Sequence, residues 1–269
     1  MKGRVLIIAG SDSGGGAGIQ ADIKSVTALG AYAATAVTAL TAQDTEGVRA
    51  VHPVPLDFLK LQIRMSLEDI GADCIKTGML ADAATIDAVC DALDGCGVPL
   101  VADPVMVAKG GAPLLEPSAV ETLKRRLLPL ATILTPNLPE AEVLSGMRIP
   151  DLDAMRHAAE VLLTLGVPAV LLKGGHLEGP VVQDVLATED GVEVFESPRI
   201  ETRHTHGTGC TLASAIAAGL AQGLGLRDAV IRARAYVAAA IRSAPGFGKG
   251  HGPLDHGVTV DPALLIALR

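Results

Sequence analysis

At 269 residues the chain is long enough to bury one sizeable core, and its apolar content of 49% comes mostly from Ala, Val and Leu, with no Trp, two Tyr and three Phe. The stacking platforms of a single-stranded nucleic-acid binder are therefore missing, and a formal charge of −8 denies the chain a broad basic footprint for DNA or RNA. Cys74, Cys90, Cys96 and Cys210 form no CxxC pair and have no histidine at zinc-site spacing, so they are expected to be reduced thiols in a cytoplasmic chain. The apolar run after Arg4 is too short for a membrane span and lacks an export cleavage region.

In chain order, residues 5–9 form a continuous apolar run that suits a buried parallel strand, and the serine- and glycine-rich stretch 11–16 follows as a flexible loop. Residues 19–29 have helical spacing and stop at Gly30. Residues 34–42 read as a strand of small residues and 56–70 as a helix. Further strands are expected at 74–79, 100–103, 132–134 and 169–173, separated by helices near 84–93, 117–128 and 155–165. Residues 181–195 resemble a hairpin turning near Glu189-Asp190-Gly191, and two helices close the chain at about 209–223 and 227–244. Short strands alternating with amphipathic helices predict a mostly parallel sheet covered on both faces. No linker or repeat divides the chain, so one domain over residues 1–269 is expected.

Open α/β sheets bind ligands at the carboxyl ends of their strands. The polar, glycine-rich segments fall at those ends: around Gly10, Gln43, Lys76, Asp103, Asn137, Lys173 and His206. His206-Gly207-Thr208-Gly209-Cys210 opens a helix of small residues, where unpaired N–H groups and the helix dipole favour an anion. Taken alone it is equally a glycine turn capped by Thr208. It is not a Walker A loop, and the glycines of 10–16 do not complete a dinucleotide fingerprint. His204 and His206 lack a thiolate or carboxylate spaced to share a metal with them, so they are expected to order the loop.

AGSDSGGGAGIQADIKS from Ala9, TALTAQDTEGV from Thr38, KTGML from Lys76, DPVMVAKGGAPLL from Asp103, TPNLPEAEVL from Thr135, LLKGGHLE from Leu171 and THGTGCTLASAIA from Thr205 resemble, in order and over nearly the whole chain, the pyrimidine and vitamin kinase branch of the ribokinase superfamily. The narrower likeness is to the hydroxymethylpyrimidine/phosphomethylpyrimidine kinases of thiamin biosynthesis. The resemblance implies a ribokinase-like three-layer α/β/α sandwich. It makes Gly207, Thr208 and Gly209 the anion hole for the transferring phosphoryl group, and Cys210 the group that takes the proton from the acceptor hydroxyl. A thiol at a helix N-terminus is expected to have a lowered pKa. Asn137 and Glu140 become the NxxE element, with Glu140 holding Mg²⁺ largely through water, Asn137 placing phosphates and Asp103 adding charge near the metal. Without the resemblance, Asn137 is simply a helix cap, and both roles are compatible.

By the same likeness Lys173 neutralises ATP phosphates, and Lys109-Gly110-Gly111 forms a flap over them. Gly10, Asp22, Gln43, Met79 and Val105 form the acceptor pocket, Asp22 and Gln43 reading the aminopyrimidine. In a bland reading Asp22 makes a surface pair and Gln43 caps a turn. The glycine-rich stretch 246–252 lies near the nucleotide base by family position, without residue roles. The implied reaction is transfer from ATP, with Mg²⁺, to 4-amino-5-hydroxymethyl-2-methylpyrimidine and then to its monophosphate, in a homodimer without nucleic-acid or membrane partners. A pyridoxal kinase, or one acting on both acceptors, is the nearer rival. A non-catalytic pyrimidine sensor is the rival from another class, and a sugar kinase is disfavoured because Cys210 stands where such enzymes carry an aspartate.

Overall fold

Along the first strand the side chains sort to two opposite sides of the sheet: Leu6 and Ile8 join one apolar cluster, Val5, Ile7 and Ala9 another, and all five are buried. A strand buried on both faces needs helices on both, and the computed structural model, which describes residues 2–108 and 110–260, supplies them. The strands are β1 (Arg4–Asp12), β2 (Tyr32–Gln43), β3 (Val48–Pro53), β4 (Cys74–Thr77), β5 (Leu100–Ala102), β6 (Ile133–Leu134), β7 (Ala169–Leu172), β8 (Val181–Thr188) and β9 (Gly191–Pro198). They form one nine-stranded sheet in the order β3-β2-β1-β4-β5-β6-β7-β8-β9. The run from β2 to β7 is parallel throughout, and β3, β8 and β9 extend it antiparallel at the two ends.

The helices are α1 (Gly18–Ala28), α2 (Leu56–Met65), α3 (Ala83–Leu93), the single turn α4 (Val120–Thr122), α5 (Leu138–Ser145), α6 (Leu152–Leu163), α7 (Thr208–Ala221) and α8 (Leu226–Arg242). Buried residues of α2, α3, α5 and α6 fill the cluster on one face, and those of α1, α7 and α8 fill the other. The result is the three-layer sandwich. The run of alanines in α7 lets it lie close: Ala213, Ala215, Ala217 and Ala218 are all fully buried, and a Cβ at Gly219 would collide with Ala229 of α8. Among the described residues no helix is long and apolar enough to cross a membrane.

Four local expectations change. Residues 11 and 12 belong to β1, which continues past Gly10 across a register shift, so Asp12 is a strand end rather than part of a free loop. Strand β3 carries no apolar alternation and is almost wholly exposed; it pairs with β2 through a backbone ladder, which leaves no hydrophobic signal in the sequence. The helix expected over 56–70 is regular only to Met65, then widens over Ser66–Ile70 and stops at Gly71 with φ 75°. The helix expected over 117–128 is a succession of tight and wide turns around α4, bounded by Pro117 and Pro129, whose rings cannot donate to a helical ladder.

Candidate active site

The carboxyl ends of the central strands open into one cavity of about 840 Å³. Gly10, Gln43, Met79, Asp103, Val105, Asn137, Glu140, Lys173 and the run Gly207–Cys210 all line it, so residues spread over the chain meet in one place.

The anion cradle forms where α7 begins. Gly207 sits at φ 81°, and a Cβ there would collide with the Gly16 carbonyl, so only glycine lets the two loops approach this closely. The Thr208 hydroxyl donates to the Thr205 carbonyl at 2.8 Å instead of folding back over the helix end, and no side chain caps α7. The capped-turn alternative does not hold. A helix of 14 residues starts uncapped on the cavity wall, an electropositive end without a side-chain partner.

Beside it lies a charge cluster. Lys173 Nζ stands 3.1 Å from Asp103 Oδ1, which also accepts from the Thr135 hydroxyl at 3.2 Å. Asn137 and Glu140 form a capping box at the start of α5, with Glu140 accepting from the Asn137 N–H at 2.8 Å and Asn137 from the Glu140 N–H at 2.9 Å. A bridge between Asn137 and Lys173 ties this helix end to the end of β7. Burial pushes the Glu140 carboxyl up to about 7, with Asp103 adding to the rise and Lys173 opposing it. Burial disfavours the Lys173 ammonium, but Asp103 and Glu140 outweigh it and hold its pKa above the ordinary lysine value. Lys173 is thus shared between two carboxylates.

A further part of the cavity lining is small and apolar. Gly10, Met79 and Val105 form it beside Gln43, and a Cβ at Gly10 would stand 2.9 Å from the Met79 sulfur. Thr38 fixes the turn after β4 by donating to the Met79 carbonyl at 2.7 Å.

A family model for phosphomethylpyrimidine kinase matches residues 12–255. The chain belongs to the phosphomethylpyrimidine kinase family. It is 47% identical over 253 residues to the hydroxymethylpyrimidine/phosphomethylpyrimidine kinase of Streptomyces coelicolor, covering 94% of each chain. It is 54% identical over 256 residues to the thiamine biosynthesis bifunctional protein ThiED of Geobacter sulfurreducens, spanning 95% of this chain but 52% of that protein. Among solved structures, an ADP complex of Bacillus subtilis pyridoxal kinase superposes with a TM-score of 0.90 at 38% identity, covering 96% of this chain and 98% of that one. The phosphomethylpyrimidine kinase of Clostridium difficile superposes with a TM-score of 0.80 at 42% identity, covering 89% and 100%.

Within this kinase family fold, two sequence expectations need correction. Asp22 is not on the cavity wall. It is fully buried under it, where both its oxygens accept from Lys76 Nζ at 2.9 Å and one also accepts from the Ser214 hydroxyl at 2.7 Å. Burial works against the Lys76 charge, yet the Asp22 carboxylate holds its ammonium above the usual lysine range. Fully buried and turned to Lys76 and Ser214, Asp22 presents no face to the cavity. The second correction concerns Cys210, whose thiol is pushed up to about 12 rather than lowered. Burial dominates, Asp22 and Asp103 add to it, and the opposing Lys76 charge and Gly18 N–H do not compensate. The helix end alone suggested the reverse because a sequence shows neither the burial nor the two carboxylates.

Lys109 lies outside the described residues. Its neighbour Gly110 passes close to the tip of the β2–β3 hairpin, where a Cβ would stand 3.2 Å from the Glu46 carbonyl. The stretch 246–252 grips the same tip: the His251 N–H donates to the Thr45 carbonyl at 2.8 Å and the Gly250 N–H to its hydroxyl at 3.2 Å. Several positioning groups were not assigned from sequence. Asp184 accepts from the Gly174 N–H at 2.9 Å and from Arg234 Nε at 2.8 Å, fixing the turn after Lys173. Asp12 and His206 join at 3.0 Å across 194 positions. Such pairs leave no spacing signal, although Asp12, Lys76 and His206 all sit inside the family-like segments.

Proposed function

We propose that the chain is a kinase that transfers the γ-phosphoryl group of ATP to the hydroxymethyl oxygen of 4-amino-5-hydroxymethyl-2-methylpyrimidine, and then a second group to the phosphate of that product. The observation that carries this reading is the single cavity in which the uncapped start of α7, the Lys173–Asp103–Glu140 cluster and the Gln43 wall face one another. Phosphoryl transfer asks for alignment and charge neutralisation rather than covalent help. Gly207, Thr208 and Gly209 supply fixed N–H dipoles for the phosphoryl oxygens, and Lys173 supplies an ammonium for the nucleotide phosphates. Gly10, Met79 and Val105 bracket the acceptor ring, and the Gln43 amide reads its polar edge. Lys109 is assigned, by the family resemblance, to the flap over the phosphates.

The donor set fits Mg²⁺. Asp103 and Glu140 place two carboxylates around one ammonium, an excess of negative charge that a divalent cation would offset. Magnesium keeps most of its waters, so two outer carboxylates suffice, with Asn137 beside them for a phosphate. When bound with ATP it would neutralise phosphate charge. Cys210 stands beside the acceptor hydroxyl. A thiol pushed up to about 12 keeps its proton at neutral pH, so its part is to place the hydroxyl, whose proton leaves late in a loose transition state. A homodimer in the cytoplasm completes the reading, from the family resemblance.

The likeness to pyridoxal kinases supports a second acceptor, pyridoxal, taken in the same pocket. Coupled ADP-release assays with the hydroxymethylpyrimidine, its monophosphate and pyridoxal decide between them. Turnover of both pyrimidines at specificity constants above that for pyridoxal is expected. Turnover of neither pyrimidine refutes the reading.

A further inference from the structure

The Gln43 amide stands with Nε2 3.2 Å from His206 Nε2 and Oε1 3.3 Å from Thr41 Oγ1, and because the two ends of an amide have the same shape, the surrounding hydrogen bonds decide its sense. Which end of the amide faces which neighbour follows from what each neighbour is obliged to do.

Asp12 ends β1 as a buried carboxylate surrounded by donors: the N–H of Gly14 at 2.8 Å, of Gly16 at 3.0 Å and of Ala17 at 2.8 Å, and His206 Nε2 at 3.0 Å. Burial opposes its charge, but the contacts from His206, Ala17 and Gly14 prevail and lower its pKa below the ordinary aspartate value. A carboxylate only accepts, so His206 carries its proton on Nε2. That nitrogen has no lone pair left to receive an amide N–H from Gln43, and its one hydrogen, directed to Asp12, is shared only with an amide oxygen on the Gln43 side. Thr41 leads to the same orientation independently. Its single hydroxyl hydrogen is given to the Ser11 carbonyl at 2.9 Å, an atom that cannot donate, so Thr41 faces Gln43 with lone pairs. Both neighbours therefore favour the flipped amide, with Oε1 toward His206 and Nε2 toward Thr41, over the setting in which Nε2 faces His206 and Oε1 faces Thr41.

We infer that Asp12 and His206 are positioning residues that set the hydrogen-bond polarity of Gln43 and, through it, the preference for an aminopyrimidine acceptor. This rests on the reading that Gln43 contacts the acceptor ring. Held at both ends, the amide keeps one N–H and one oxygen lone pair in a fixed order. An aminopyrimidine offers a ring nitrogen that accepts beside an amine that donates, which matches that pair; pyridoxal has no exocyclic amine to offer. Because His206 directly precedes Gly207 and Asp12 anchors the loop at Gly16, the same device couples the ring wall to the anion cradle.

A double-mutant cycle tests this, with KM and kcat measured for the hydroxymethylpyrimidine and pyridoxal on the full chain carrying Gln43→Ala, His206→Leu, or both. His206→Leu is expected to raise the pyrimidine KM about tenfold, the worth of one lost directional hydrogen bond, and by a larger factor than it lowers kcat. In the Gln43→Ala background it should add less than about twofold, because its effect passes through the amide. His206→Gln, whose side-chain N–H can reach Asp12, should restore KM to within about threefold of the parent. If Gln43→Ala leaves the pyrimidine KM unchanged, the ring-reading role itself fails and this inference with it. If Gln43→Ala raises KM but His206→Leu multiplies with it in full, the polarity inference fails while the ring-reading role stands. Should His206→Leu not fold, Asp12→Asn serves in its place. An amide there can donate to His206 and reverse the chain of donors, so the same non-additive KM rise is expected, and an additive one overturns the inference.

Discussion

Two lysine–aspartate pairs sit near the floor of the same cavity, and they are built to opposite ends. Lys76 and Asp22, from β4 and α1, are both 0% exposed at the side chain, and Ser214 fills a further position on the carboxylate. Lys173 and Asp103, at the ends of β7 and β5, meet at 3.1 Å with Lys173 still 14% exposed and a second carboxylate, Glu140, pulling on it. The sealed pair is internally satisfied and binds three elements of the fold to one another. The open pair sets one lysine between two carboxylates and lines the cavity proposed to take the nucleotide. A buried ion pair is thus a scaffold or a binding device according to whether its charges balance and whether a ligand can reach it.

Replacing each lysine should separate these roles. Lys173→Ala is expected to lower kcat/KM about 100- to 1000-fold, the range seen when a single transition-state donor is removed, with the melting temperature little changed. A loss of fold instead would make the open pair structural. Lys76→Met leaves Asp22 buried and unpaired, and should cost about 3–5 kcal/mol of stability, a fall of about 10 °C in melting temperature for a domain of this size. Asp22→Leu added to Lys76→Met removes the stranded charge and should recover part of that loss. No recovery would mean that the pair contributes more than charge balance.

The thiol between the two pairs sharpens the contrast further. Cys210→Ser should slow the chemical step by far less than the about 100- to 10,000-fold that loss of a working general base costs, because a thiol pushed up to about 12 is protonated in the working pH range. A larger loss, with a pH–rate profile that shifts on substitution, would restore the base role.

The smallest effect is thermodynamic and concerns Glu140. Its folded pKa of about 7 lies above the ordinary glutamate value of 4.5, so the unfolded chain gives up this proton more readily. Stability therefore declines as pH rises from 4.5 to about 7, and the full penalty persists above that. Glu140→Gln keeps an acceptor for the Asn137 N–H and removes the penalty. The nucleotide-free protein should melt about 5 °C higher at pH 8 with no gain at pH 4, and added Mg²⁺ should narrow the difference at pH 8. An equal shift at both pH values would show that Glu140 carries no buried charge.

The local geometry of the site was legible where it is written in short stretches: the Asn137 to Glu140 capping pattern and the helix start after Gly207 show within a few residues, while the roles of Gly207, Gly209 and Lys173 came from the family resemblance. The alternation of apolar strands and helices likewise announced a mostly parallel sheet covered on both faces, because burial on both faces leaves continuous apolar runs. Strand β3 escaped because an exposed ladder held by backbone hydrogen bonds leaves no such pattern.

What the sequence determined by itself is therefore the layered kinase fold and the common edge where its polar segments collect. Tertiary structure alone decided which charges are sealed and which are open. Asp22 lies 54 positions from Lys76 and 192 from Ser214, and Asp12 lies 194 from His206, so their hydrogen bonds exist only once the strands have assembled. The same packing raises the Cys210 thiol against the pull of its helix end, since desolvation depends on every neighbour in space and on none in sequence.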